Sequence, residues 1–230
     1  MRRAVIDIET AGYNFEELSE SQQEYILRDA MKERDETLRE QKADEAKKWL
    51  SLYPLSSRCV VIGIRDIDNA TSYIYYESSE LKEFTDEETG YKYKGLPEKE
   101  MLESFWKLVS YFNQIITFNG RGFDLPFLMV RSAILRVKPS RNFVGNRYDA
   151  SSHIDLLEQF SFYGLTKRFN MDFYCHAFGI ETPKSKEISG NNVKEFYDRG
   201  DVMEIARYNA RDLIATEELY KVWNEYLNMR

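Results

Sequence analysis

Cysteine, histidine and long apolar runs are scarce in this chain of 230 residues, and each scarcity excludes a class of protein. The two cysteines, Cys59 and Cys175, form no CxxC pair, so neither a disulfide framework nor a zinc site is legible. Both sit in apolar segments, as free thiols in a reducing cytoplasm would. The two histidines, His153 and His176, stand far from the carboxylates singled out below. No stretch approaches the roughly 18 apolar residues of a membrane span. The N-terminus meets Asp7 after three apolar residues, too early for a secretory signal. The expected location is therefore the cytoplasm, without membrane association. GxGxxG and Walker patterns are absent, which leaves no phosphate loop. Positive charge is in deficit, with 32 Lys and Arg against 39 Asp and Glu and a net charge of −7. That argues against coating duplex nucleic acid through bulk charge, though not against holding a short piece in one basic groove.

What is present describes a globular α/β chain. Hydrophobic residues make up 43% and charged residues 31%, outside the range of disordered sequences. At about 150 residues per domain, the length fits one domain over 1–230 with a sizeable insertion. Alternation marks a strand over Ala4–Thr10, with Val5, Asp7 and Glu9 on one face and Ala4, Ile6 and Ile8 on the other. Cys59–Ile67 reads as a central strand and Thr71–Glu77 as its hairpin partner. Helical spacing predicts a helix over Glu98–Gln114, a strand over Ile115–Phe118 and a second helix over Leu125–Leu135. Shorter helices are expected at His153–Phe160, Met171–Phe178 and Asn192–Tyr197, and a long closing helix at Asp201–Leu227. Residues 15–56 break this rhythm. They are rich in Glu, Lys, Arg and Gln, with few apolar residues, and favour an exposed helix or helical pair inserted after the first strand.

Three groups of residues carry chemistry. Asp7 and Glu9 share one face of an apolar strand, about 6–7 Å apart. Like charges repel and burial disfavours ionisation, and a divalent cation would relieve both. Asp124 closes Asn119-Gly120-Arg121-Gly122-Phe123-Asp124, which follows a strand and opens a helix, where an acid is also an ordinary cap. Tyr208 and Asp212 lie four apart on the closing helix and share a face, about 6 Å from each other. Residues 125–148 contain Arg131, Arg136, Lys138, Arg141 and Arg147 with no acid among them, a stretch able to follow a single-strand backbone or to form a solvated surface.

D-x-E on a first strand, N-x-x-x-F-D at a strand-to-helix junction and Y-x-x-x-D on a late helix, in this order, resemble the three motifs of the DEDD superfamily of 3′-5′ exonucleases. The tyrosine places the resemblance in the DEDDy branch, since the histidine branch would carry histidine where Arg207 stands. Within it, the chain is similar to the proofreading exonuclease domain of family-B DNA polymerases. His153-Ile154-Asp155-Leu156 and the stretch Met171–Asn191 add support, and the resemblance spans Arg3–Gly12 and about Val60–Trp223. It implies a ribonuclease H-like (DnaQ-like) fold, a mixed central sheet flanked by helices. It also implies 3′-5′ hydrolysis of single-stranded nucleic acid, DNA favoured, with two divalent cations. Hard cations prefer oxygen ligands, so Mg²⁺ or Mn²⁺ suits four carboxylates. By the same resemblance Asp7 bridges both ions, Glu9 and Asp212 hold the one that activates water, and Asp124 holds the other through waters. Tyr208 orients the attacking water. Thr10 touches the terminal nucleotide, and Asn119 and Phe123 position the 3′ end. Arg131, in the basic stretch, is expected to bind the substrate, and Asp155 supports the site from outside or caps a helix.

Three other readings stand beside this one. They are a catalytically silent nucleic-acid-binding module, a ribonuclease H-type endonuclease or RNA-processing nuclease of the same fold, and an interaction protein acting through its long polar helix. A protein partner docking on residues 15–56 is a further expectation.

Overall fold

The computed structural model describes residues 1–183 and 188–228. The chain opens with strand β1 (Arg3–Gly12), followed by helices α1 (Glu20–Leu27) and α2 (Glu36–Lys48) in an arm between strands. Strands β2 (Ser57–Asp66), β3 (Thr71–Glu77), β4 (Glu83–Thr85) and β5 (Lys92–Leu96) come next, then helix α3 (Glu98–Val109), strand β6 (Gln114–Thr117) and helix α4 (Asp124–Ile134). Strand β7 (His153–Asp155) runs directly into helix α5 (Leu156–Phe160). Helices α6 (Met171–Phe178), α7 (Val193–Asp198) and the long α8 (Val202–Tyr226) complete the chain.

The seven strands form one mixed sheet in the order β4-β5-β3-β2-β1-β6-β7. β1 lies inside it, antiparallel to β2 and parallel to β6. The period of two along β1 sorts its side chains between two layers. Ala4, Ile6 and Ile8 pack with Met101, Leu102 and Phe105 of α3 and Leu125 and Leu128 of α4. Val5 faces the opposite layer, among Leu213, Leu219 and Trp223 of α8. The N-terminal half of α8 covers β2 and β3, where Ile205 and Ala206 meet Val61 and Ile74. Asp7 and Glu9, in phase with Val5, therefore face α8.

Two sequence expectations change. His153–Phe160 is not one helix. Its first three residues pair in parallel with Ile115–Thr117, and Asp155 then caps α5 through Leu157 and Glu158 N–H. The strands β4 and β5 went unpredicted, because their polar, Lys- and Glu-bearing sequences at the sheet edge lack the apolar alternation of buried strands. No helix among the described residues is long and apolar enough to cross a membrane, and Cys59 and Cys175 are buried free thiols.

Residues 15–56 form the expected helical pair. Helix α2 packs on α1, on the turn Ala30–Lys32 and on the short turn Trp49–Leu52, and of these only Trp49–Leu52 makes broad contact with β1 and β2. No arm residue enters the three core clusters. The root is pinned at its far end. Thr10 Oγ1 donates to Ser51 O at 2.6 Å, Gly12 N to Ser51 Oγ at 2.9 Å and Tyr13 N to Ser56 O at 2.9 Å. Replacing residues 19–48 by a short Gly/Ser linker, with the root kept, is expected to lower the melting temperature by under about 4 °C, equivalent to about 1 kcal/mol for a chain this size. Thermal unfolding by circular dichroism reads this. A larger loss would mean that the two helices share a core with the sheet.

Candidate active site

β6 pairs with β1 only along Arg3–Val5, and beyond that point the edge of β1 is open. A cleft of about 250 Å³ forms there, lined by Asp7, Glu9, Phe118, Asn119, Phe123, Asp124, Tyr208 and Asp212, with Asn170, Met171, Asp172 and Pro183 on the far wall. A larger groove of about 1090 Å³ lies between the arm and Val130, but it gathers no carboxylate cluster, so the chemistry belongs to the smaller cleft.

Three acids converge inside it. One carboxylate oxygen from each of Asp7, Glu9 and Asp212 lies within 4.8 Å of the others. The strand places the first two and α8 the third, one helical turn beyond Tyr208. Asp124 comes from the opposite wall at the first residue of α4. Its Oδ1 accepts the N–H of Ile8 at 3.1 Å, satisfying an edge donor that β6 leaves free. The β1–β2 register slips between Glu9 and Thr10, leaving Val60 without a partner in the ladder. Such a bulge re-aims the strand where the cleft begins.

The arrangement is electrostatically costly. Burial raises the Asp7 and Glu9 carboxyls well above the usual range, and the neighbouring Asp212 and Asp124 charges raise them further. Burial also lifts Asp124 and Asp212 to about 7 each, against hydrogen bonds that favour their charged forms. The Tyr208 hydroxyl is driven upward by burial, by the acids around it and by its hydrogen bond to Asp212. An all-oxygen donor set of buried, mutually repelling carboxylates fits hard divalent cations and does not fit zinc. His153 is no candidate ligand. Its ring is buried against Thr117 Oγ1 at 2.8 Å, and burial lowers its pKa to about 3.

Asn209, which the sequence did not single out, braces this nest. Its Nδ2 donates to Asp7 Oδ2 at 2.7 Å, and its Oδ1 is buried without a hydrogen-bond partner. The amide fits because residue 63, paired with Asp7 across the sheet, is glycine. A Cβ there would sit 2.0 Å from Asn209 Oδ1. The available signal was helical spacing, since Asn209 lies three residues before Asp212 on the same helix.

The loop after β6 is held just as firmly. Asp155 accepts the N–H groups of Asn119 and Arg121 at 3.0 and 2.9 Å while capping α5, so it is both a helix cap and a support for the cleft. Asn119 takes a left-handed backbone with φ 64°. Gly120 next to it has no room for a side chain, because a Cβ would lie 2.4 Å from Thr117 Oγ1. Asn119 and Phe123 both reach the cleft, and Phe123 is half-buried with its ring 5.6 Å from Phe127. Thr10 and Arg131 do not. The Thr10 hydroxyl is engaged by Ser51 O. Arg131 is buried, clamped by Glu98 at 2.8 and 2.6 Å, and donates to Pro54 O at 3.1 Å. It ties α4 to α3 and to the arm's root. Removing one partner of such a pair costs about 3–5 kcal/mol. Arg147 of the basic stretch is likewise drawn to Glu158.

Residues 69–230 match a family described as "Predicted 3'-5' exonuclease related to the exonuclease domain of PolB". The match starts after β1, so Asp7 and Glu9 join the cleft through the fold. No curated protein matches the sequence. The family B DNA polymerase of the hyperthermophilic archaeon Pyrobaculum calidifontis is structurally similar, with a TM-score of 0.62 at 17% identity. The likeness covers 97% of this chain and only 24% of that polymerase, and it shows a shared ribonuclease H-like α/β architecture.

Two outcomes follow from the geometry. Folded Asp124 and Asp212 keep their protons to about pH 7, while unfolded aspartates lose theirs near pH 4. Their contribution to stability is therefore complete below about pH 4 and lost as pH rises through about 7. In chelator, the gain in melting temperature of Asp212→Asn over the wild type should be larger at about pH 8 than at about pH 5. An equal gain at both would mean that Asp212 ionises freely. Gly63→Ala is expected to destabilise by about 1–3 kcal/mol through overpacking, and Asn209→Ala added to it should recover part of that loss. Additive losses in the double-mutant cycle would refute the contact.

Proposed function

The chain belongs to the family of predicted 3'-5' exonucleases related to the exonuclease domain of PolB, and we propose that it is itself a metal-dependent exonuclease that removes nucleotides from the 3′ end of single-stranded nucleic acid, DNA favoured. The observation that carries this reading is the convergence of the Asp7, Glu9 and Asp212 oxygens within 4.8 Å, with Asp124 on the facing wall. Asp7 would bridge two Mg²⁺ or Mn²⁺ ions, Glu9 and Asp212 would complete one site, and Asp124 would hold the other. Bound there, the two cations supply an activated water and offset charge on the phosphate and the leaving oxygen.

The chain's own residues do the rest. Asn209 fixes the rotamer of Asp7 through its amide, so Asp7 offers its remaining lone pairs to the cleft. The Ile8 N–H holds Asp124 in the same way. Tyr208 stands beside Asp212 with its proton retained, which suits orienting a water and not abstracting its proton. Asn119 and Phe123 line the cleft from the rigid loop after β6, where an amide can position the terminal nucleotide and a ring can stack on its base. The arm, rooted behind Glu9 at Thr10 and Gly12, stands where it would limit which ends enter.

The test is digestion of end-labelled linear and circular single-stranded DNA and RNA, with Mg²⁺, Mn²⁺ or chelator. Mononucleotide release from linear strands only, abolished by chelator and by Asp7→Ala, is expected. Tyr208→Phe should lower turnover by about 10²-fold, the order expected when a reacting group is mispositioned, while leaving calorimetric metal binding intact. Cleavage of circles would assign an endonuclease, and metal binding without hydrolysis a silent module.

A further inference from the structure

Glu158 on α5 is buried, yet three guanidinium groups converge on it: Arg121 at 3.2 Å, Arg147 at 2.7 Å and Arg168 at 3.8 Å. One carboxylate neutralises one of them, so the cluster keeps a surplus of positive charge in a chain whose net charge is −7. Arg121 is enclosed, whereas the side chains of Arg147 and Arg168 remain 41% and 43% exposed. Lys167 adds a further exposed cation beside them.

Aromatic rings are interleaved with these cations. Three successive residues, Phe162, Tyr163 and Gly164, take left-handed backbones with φ of 50°, 60° and 91°. Two of them carry rings, which ordinarily avoid that region, and strain of this kind collects at functional sites. Ser161, fully buried, holds the turn by accepting the Gly164 N–H at 3.2 Å, and Arg147 ties it by donating to Tyr163 O at 3.3 Å. The result is that Phe162 is 53% exposed, while exposed Tyr148 lies 4.9 Å from the Tyr163 ring. The strip leads to the cleft, since Asn170, two residues after Arg168, is part of the cleft wall.

We propose that this strip grips the single strand upstream of its 3′-terminal nucleotide, with Arg147 and Arg168 on successive phosphates and Phe162 and Tyr148 stacking on bases. Rings interleaved with half-free cations suit a flexible polyanion with π-faces. The surplus positive charge beside them favours a polyanionic occupant. The proposal rests on the exonuclease reading of the cleft, and it adds where the rest of the strand lies and why longer strands should be held more tightly.

The test compares a dinucleotide with a strand of about 20 nucleotides for the wild type, Arg147→Ala/Arg168→Ala and Phe162→Ala. Strand affinity is measured in chelator by fluorescence anisotropy over a range of salt, and hydrolysis of both substrates is measured with Mg²⁺. The arginine pair should weaken strand binding and flatten the slope of log affinity against log salt by about 1.4, the release expected for two phosphate contacts on a single strand. Phe162→Ala should weaken binding about tenfold with the slope unchanged. Dinucleotide turnover should stay at the wild-type level in every variant, which also shows that each is folded. Unchanged strand affinity and slope in variants that still turn over the dinucleotide would overturn the strip. If the wild type hydrolyses neither substrate, the exonuclease reading fails, and the anisotropy series in chelator still decides whether the strip binds the strand.

Discussion

Everything in this molecule that concerns function answers to the repulsion among Asp7, Glu9, Asp212 and Asp124. Four acids on two walls of one small cleft are unfavourable in every state except protonated or neutralised. The protein holds them by fixing each from behind. Asp7 and Glu9 are carried by a strand laddered to β2 along its length and anchored to β6 as far as Val5, Asp124 is tied to the backbone of Ile8, and Asp212 rides on a helix whose next contacts are core. Asn209 and Tyr208 offer donors into the nest without bringing charge. The sheet thus acts as a frame that withholds relaxation from the acids and holds their oxygens in place, as the proposed binding of divalent cations would require.

The parts of this plan that repeat with a short period were readable from the sequence. Alternation along β1 put Asp7 and Glu9 on one face, and the four-residue interval put Tyr208 and Asp212 on another. Which faces would meet depended on the path of the chain between them, and that came only from the ordered resemblance. Asn209 escaped because its role is defined by Gly63, distant in sequence and silent as a motif. The place of Arg131 is hidden from the sequence for a similar reason. A run of bases without acids looks like a binding surface until Glu98, from another helix, takes up the guanidinium. His153–Asp155 looked helical because three residues of parallel edge strand carry no period of their own.

Buried acids recur in this fold with opposite effects. Glu98 and Glu158 are acids met by arginines, and they knit helices and loops together. Asp155 is met by backbone N–H groups and locks the Asn119 loop. The cleft acids are met mostly by one another. The distinction between a structural and a chemical carboxylate here lies in what surrounds it, since all of these residues are buried or half-buried.

The placement of the arm has a consequence for how the chain would survive being cut. Glu33, Arg34 and Asp35 form a bend between α1 and α2, away from the three core clusters. A proteolytic nick there would release a fragment bearing Asp7 and Glu9. Yet that fragment's β1 is laddered to β2 from Ala4 to Gly12 and flanked by β6 on its other side. The two pieces would remain one folded particle, and its carboxylate nest would be assembled from two polypeptides.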